Sequence, residues 1–370
     1  MTFALFYHSL LSDWNHGNAH FLRGVVSELL DRGHAVTVYE PEDGWSLQNL
    51  RDGYGEEPVE AFLEAYPQLR GVSRFYDPAT LDLDAALDGA DAVIVHEWSD
   101  HDLVARLGRH RQSGAGYRLL FHDTHHRAVT KPEEMERYDL AGFDGVLAFG
   151  EVLRQLYLDR GWADRAWTWH EAADTRFFFP REAERAGDLV WVGNWGDDER
   201  TAELLEFLLE PADRLGLSGR VHGVRYPALA RWALDRVGLD YGGWLPSAEV
   251  PETFAGFGVT VHVPRRPYVE ALPGIPTIRP FETLACGIPL VCSPWDDAEN
   301  LFTPGEDYLV ARDGAEMERH LRDVLNDPAL ADSLRQHGLE TIRDRHTCAH
   351  RVDELEGIVA ELNAPTAAAA

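Results

Sequence analysis

Cysteine is scarce in this chain. Cys286, Cys292 and Cys348 form an odd set without C-x-x-C spacing, which suits reduced thiols acting as small core residues in a cytoplasmic protein better than a disulfide framework or a zinc site. Long apolar runs are missing too, since no stretch approaches the ~20 uninterrupted apolar residues of a membrane helix. The N-terminus enters an apolar run, Phe3 to Tyr7, without the basic flank, long apolar core and small-residue cleavage site of a secretory signal. A soluble, cytoplasmic protein without a membrane span is expected. Positive charge is also in short supply: 34 basic against 63 acidic residues leave a formal net charge of −29, which disfavours nucleic acid and anionic lipid as partners. An anionic ligand must therefore meet a local concentration of positive groups. Neither G-x-G-x-x-G nor G-x-x-x-x-G-K-[ST] occurs, so nicotinamide and ATP chemistry lose support and no cofactor is expected. No repeat of solenoid length is found.

What is present is the punctuation of parallel α/β structure. At 370 residues the chain exceeds the usual single-domain size, so two domains and a cleft between them are expected. In the first half, short apolar runs alternate with amphipathic stretches as in βα units. Strands are predicted at Phe3 to His8, Ala35 to Tyr39, Ala92 to His96, Leu119 to His122, Val146 to Phe149 and Ala166 to Trp169. Phe21, Val25, Leu29 and Leu30 recur at helical spacing, closed by Gly33. Gln48 to Pro78 is less periodic and reads as a mixed loop-helix insertion. Strands resume at Leu189 to Val192, Arg220 to His222, Val259 to Val263, Pro289 to Cys292 and Asp307 to Val310. The fold class is thus α/β, with two Rossmann-like doubly wound domains. They are expected at 1–180 and 188–344, joined by the charged stretch 181–187. A final helix at about 345–362 is expected to pack back on the first domain, and the tail 365–370 to fray.

In open parallel sheets, ligands bind beyond the carboxyl ends of the strands. His8, His96, His122 with Asp123, and His170 with Glu171 each follow an apolar run, so the first sheet aims several histidines at one rim. The loop Ser12 to Asn18 carries Gly17 beside Asn18, where backbone can approach a ligand closely. His122 to His126 falls in a loop and lacks the H-E-x-x-H pattern, and Asp82-Leu-Asp84 suits a helix cap, so no metal site is expected. The richest segment is Gly274 to Leu290: a Gly/Pro loop delivers Thr277 and Ile278 to a helix that holds Pro280 in its first turn and ends at Gly287 and Pro289. Such a start can cradle a phosphate. Glu282 there is explained either by helix polarity or by recognition of ribose hydroxyls.

Phe281-Glu-Thr-Leu-Ala-Cys-Gly-Ile-Pro289 resembles the F-E-x-x-A-x-G-x-P helix of GT-B glycosyltransferases, especially CgeB-like, spore-maturation-type members. Val190-Trp-Val-Gly-Asn-Trp195 is similar to their strand and glycine loop, His346-Thr-Cys-Ala-His-Arg351 to their closing H-T-x-x-H-R, and Ala172 to Phe178 to the segment before their domain crossover. The resemblance implies a nucleotide-sugar donor held by the C-terminal domain and an acceptor, unidentified, on the N-terminal one. Gly193, Asn194, Gly223, Thr277, Ile278 and Glu282 would bind donor, with Glu282 at the ribose and the Thr277–Arg279 loop at the diphosphate. Arg279 would stabilise the leaving group, ahead of Arg200, Arg265 and Arg266. His122 and Asp123 are the other catalytic candidates, as base in an inverting reaction, and Gly17, Asn18 and His96 would face the acceptor. Retaining, metal-independent transfer is implied. The glutamate that related retaining enzymes carry eight positions before Glu282 is Gly274 here, leaving Glu270 as the nearby substitute. A 2-epimerase-like isomerase and a catalytically silent nucleotide- or sugar-binding module remain alternatives.

Overall fold

The computed structural model describes residues 1–196 and 198–364. The tail expected to fray lies outside the described residues.

Seven strands form the first sheet: β1 (Thr2–Phe6), β2 (Ala35–Pro41), β3 (Ser73–Tyr76), β4 (Ala92–His96), β5 (Arg118–Asp123), β6 (Gly145–Ala148) and β7 (Ala166–Thr168). All pairings are parallel, in the order β3-β2-β1-β4-β5-β6-β7. The central strands are buried along their length, as strands covered on both faces must be, and this is why they appear in the sequence as continuous apolar runs. β3 gives no such signal because it is an edge strand whose Ser-Arg-Phe-Tyr sequence buries only its last residue. The segment read as a mixed insertion contains this strand, the helix Glu57–Ala65 and all but the first turn of the helix Trp45–Tyr54.

The second sheet has six parallel strands: β8 (Gly187–Val192), β9 (Gly219–His222), β10 (Leu239–Gly243), β11 (Phe257–His262), β12 (Leu290–Cys292) and β13 (Leu309–Val310), ordered β10-β9-β8-β11-β12-β13. β10 was not expected. It lies at an edge and ends in two glycines, and a Cβ on Gly242 would come within 2.4 Å of the His222 ring, so packing against β9 demands residues that carry no strand signal.

Two compact units result. The first comprises Met1–Ser12, Leu22–His170 and the chain from Cys348 on; the second comprises Asp13–Phe21 and Glu171–Thr347. Within the first, the helix Cys348–Asn363 is tied down by Arg32, which bonds Asp353 at 2.6 Å and Glu356 at 2.7 Å, and by Trp169 Nε1 donating to the Arg351 carbonyl at 2.8 Å. All three cysteines are buried thiols. No described helix is long and apolar enough to cross a membrane.

In each sheet the strand order reverses once, between β1 and β4 and between β8 and β11. At such a switch point the loops leaving two neighbouring strands turn to opposite faces and open a crevice.

Candidate functional site

The second switch point is built around a half-buried arginine. Beyond β8 the chain runs through Gly193 and Asn194, and beyond β11 through Val263. Arg200 joins the two loops, donating from Nη1 to the Val263 carbonyl at 2.8 Å and from Nη2 to the Asn194 carbonyl, with its guanidinium 5.1 Å from the Trp191 ring centroid. Its Nε has no partner among the described residues. Arg265 is held by Glu199 at 2.9 Å and Arg266 by both oxygens of Glu203 at 3.0 and 3.2 Å. Arg200 differs: among the described residues it bonds carbonyls and no carboxylate. Burial, with the charges of Arg265 and Arg279, pushes its pKa down to about 9; the guanidinium stays cationic at neutral pH while losing water. Burial, helped by the charges of Arg200 and Arg279, lowers His262 at the end of β11 to about 3, so this imidazole is neutral. In a chain with one lysine, Lys131, and a net charge of −29, such a grouping of positive charge is a strong local exception.

Gly193 and Gly223 line the same crevice for a steric reason. A Cβ on Gly223 would lie 2.2 Å from the Gly193 carbonyl oxygen, and one on Gly193 would lie 2.9 Å from the Trp191 ring. Asn194 ties these loops together, its Oδ1 accepting from Val224 N at 2.8 Å. Gly223→Ala is therefore expected to cost about 2–3 kcal/mol of stability through backbone displacement, read as a lowered denaturation midpoint; an unchanged midpoint would show that the two loops do not pack as described.

Opposite stands the helix Ile278–Ala285. Its N-cap, Thr277, is a β-branched residue at φ 61° and ψ −179°, with no side-chain cap. That conformation costs on the order of 1–3 kcal/mol and leaves first-turn N–H groups without an intrahelical acceptor. Arg279 and Glu282 project from this turn and pair through Nη1 and Oε2. The other carboxylate oxygen of Glu282 lies 2.8 Å from His20 Nδ1. Since His20 Nε2 accepts from the Asp174 N–H at 2.9 Å, the proton must sit on Nδ1 and point at Glu282. Phe178 stacks on the same imidazole at 3.7 Å. Glu282, 3% exposed, is thus fixed from both sides.

His20 belongs to Asp13–Phe21, which is woven into this unit residue by residue. Asp13 accepts from Trp244 Nε1 at 3.1 Å and Ser247 N at 2.8 Å; Asn15 Oδ1 accepts from Asn194 Nδ2. A Cβ at Gly17 would meet Ile278 at 3.6 Å, and Asn18 Nδ2 donates to Glu171 Oε1 at 3.2 Å. Gly17 and Asn18, expected to face an acceptor, stand beside the residues expected to bind donor. Of all the residues expected at the site, Gly17, Asn18, Gly193, Asn194, Gly223, Thr277, Ile278, Arg279 and Glu282 lie in this unit. Glu270, in the helix Arg266–Ala271, is exposed, whereas Glu171 is buried.

His96, His122 and Asp123 lie in the first unit, at the carboxyl ends of β4 and β5, and all three are fully buried. Tyr7 stacks on His96 at 4.7 Å, and its hydroxyl lies 2.6 Å from His122 Nδ1. Burial lowers His122 to about 3, making it neutral. Asp123 accepts from His125 N at 3.0 Å and Tyr157 Oη at 2.8 Å, and burial raises it to about 6. Next to it Glu97, raised to about 8 chiefly by burial, pairs with Arg127, whose guanidinium lies 4.0 Å from the Trp98 ring centroid. His96 Nε2 contacts Thr124 Oγ1 at 3.0 Å, so these groups fasten the loop that follows β5. No cluster of metal-ligating side chains occurs among the described residues.

Residues 200–357 match the family model described as glycosyl transferase-like. The match begins at Arg200 and includes Arg279 and Glu282. No curated protein matches the chain. Among solved structures, a glycosyltransferase from Rickettsia africae ESF-5 is similar with a TM-score of 0.67 at 9% identity, covering 99% of each chain. Sucrose-phosphate synthase from Thermosynechococcus elongatus gives 0.65 at 14% identity, over 98% of this chain and 99% of that one. T4 phage BGT in complex with its UDP-glucose substrate gives 0.61 at 11% identity, over 98% and 100%. At such identities the likeness is one of fold: two Rossmann-like units of the GT-B type.

Proposed function

We propose that the chain is a glycosyltransferase that binds a nucleoside-diphosphate sugar at the switch point of its second unit and transfers the sugar to an acceptor. The observation that carries this reading is Arg200, a half-buried cation bonded to carbonyls alone among the described residues. Even partial desolvation of such a group is costly unless an anion arrives to share its charge. A diphosphate supplies that charge, and the planar guanidinium fork suits its oxygens. First-turn N–H groups of Ile278–Ala285, together with Arg279, provide further donors for negative charge that grows on the leaving group. Glu282 offers lone pairs for ribose hydroxyls.

Transfer is proposed to retain configuration and to need no metal, because arginine charge compensates the leaving diphosphate and the departing phosphate can itself take the acceptor's proton. On this reading Asp123 and His122 act by holding the loop after β5, on the acceptor side, rather than by touching substrate. The family match over 200–357 and the UDP and UDP-glucose complexes of two similar folds, α-glucosyltransferase and T4 phage BGT, make uridine diphosphate sugars the first probes. An assay of nucleotide release with UDP-glucose and a panel of sugar and polyol acceptors should give acceptor-dependent release. Interconversion of the sugar without any acceptor would replace this reading with an isomerase.

A further inference from the structure

The second carboxyl of the donor site does not come from the loop before Glu282. Gly274 occupies the position eight residues earlier, and Glu270 is exposed. Glu171, by contrast, is 6% exposed and has Glu282 and Arg279 as its charged neighbours. Its Oε1 accepts from Asn18 Nδ2 at 3.2 Å. Asn18 is itself 7% exposed, and its Oδ1 is buried with no hydrogen-bond partner among the described residues. An amide oxygen left in this way costs about 1–3 kcal/mol, which a ligand hydroxyl would recover.

We propose that Asn18 and Glu171 form a subsite that reads one hydroxyl of the transferred sugar, Asn18 Oδ1 accepting its proton while the Glu171 carboxyl donates to its oxygen. This deepens the donor-site reading and rests on it. The two carboxyls are used differently. Glu282 receives bonds from Arg279 and from His20 Nδ1–H and serves as an acceptor. Glu171 accepts from the neutral amide of Asn18. The charged groups that act on it are Glu282 and Arg279 on the helix; Glu282 is bonded in turn to His20 on the Asp13–Phe21 segment, and Asp174, three residues further along the chain, is paired with Arg176 at 2.9 Å. Burial first, and then the charge of Glu282, raise Glu171 to about 8 against the opposing effects of Asn18 and Arg279. It is therefore a neutral acid at pH 7, able to donate, and loses that ability as pH rises through about 8. Recognition of a hydroxyl by a paired buried donor and acceptor discriminates strongly against ligands lacking it.

The test is calorimetric titration with UDP-, GDP-, ADP- and dTDP-glucose and with the parent diphosphate of whichever binds best. Glu171→Ala should weaken the sugar nucleotide about tenfold or more while leaving the parent diphosphate within about twofold. Glu171→Gln, which donates as the protonated acid does, should stay within about threefold of wild type and remove the alkaline decline. In wild type, the extra affinity contributed by the sugar should vanish above about pH 8, a readout independent of whether a variant folds. Equal losses for diphosphate and sugar nucleotide, a Gln variant as impaired as Ala, or a sugar increment indifferent to pH would each overturn the subsite. If wild type binds none of the four, the donor-site reading fails first and the subsite with it.

Discussion

Arg200→Ala is expected to weaken binding of a nucleoside-diphosphate sugar at least about a hundredfold, the largest effect of any single substitution in the chain. Three features of the side chain lead to that magnitude. It is half-buried, so its charge is screened less than that of a surface arginine. Its described hydrogen bonds go to the Asn194 and Val263 carbonyls, so no carboxylate among the described residues is bonded to it to cancel the field. It also sits between the loops that leave β8 and β11, where a parallel sheet offers its ligand site. Arg200→Lys should recover part of the loss, since a lysine returns the charge without the fork. Melting should change little in Arg200→Ala, because removing a desolvated charge offsets the loss of two bonds to carbonyls. Calorimetry beside thermal melting separates these outcomes: unchanged affinity would remove Arg200 from the site, and collapse of the fold would make it a structural residue.

Substitution of Glu282 is expected to have the second largest effect. Glu282→Ala should raise the dissociation constant for the sugar nucleotide about a hundredfold, and Glu282→Gln about tenfold, since the amide keeps one acceptor oxygen but releases Arg279. His20 supports this role from a distance of 262 residues in sequence. His20→Asn, whose amide can stand where Nδ1–H does, should be milder than His20→Ala, which leaves both Glu282 and the Asp174 N–H without their partner. The readout is the split between KM for donor and kcat in the release assay. If His20→Ala and Glu282→Ala leave donor KM unchanged, the carboxylate is a helix-terminal residue and nothing more.

The parts legible in the sequence are those with local causes. β4 and β5 are buried on both faces, so an apolar run announces them; β3 and β10 are edge strands whose residues obey packing at one end only. The Ile278–Ala285 helix is flagged by its Gly/Pro loop and its Gly287 stop, and with it Thr277, Arg279 and Glu282. His122 and Asp123 are visible as polar residues ending apolar runs, but nothing local distinguishes a rim residue from one fully buried beneath a loop. Arg200 looks like any surface arginine until its partners are known, one of them 63 residues away. His20 and Glu171 are harder still: each owes its environment to segments joined only by folding, and neither proximity in sequence nor periodicity carries that information. That Asn18 groups with the second unit is hidden for the same reason, since a loop between β1 and its helix has no sequence mark for the unit it joins.

The most direct measurement is titration of the wild-type protein with UDP-, GDP-, ADP- and dTDP-sugars at pH 7.5. One of them should bind at a single site, be displaced by its own nucleoside diphosphate, and lose that binding in Arg200→Ala. A folded protein that binds none of them, or binds one equally well without Arg200, would contradict the placement of a nucleotide-sugar site at the β8/β11 switch point.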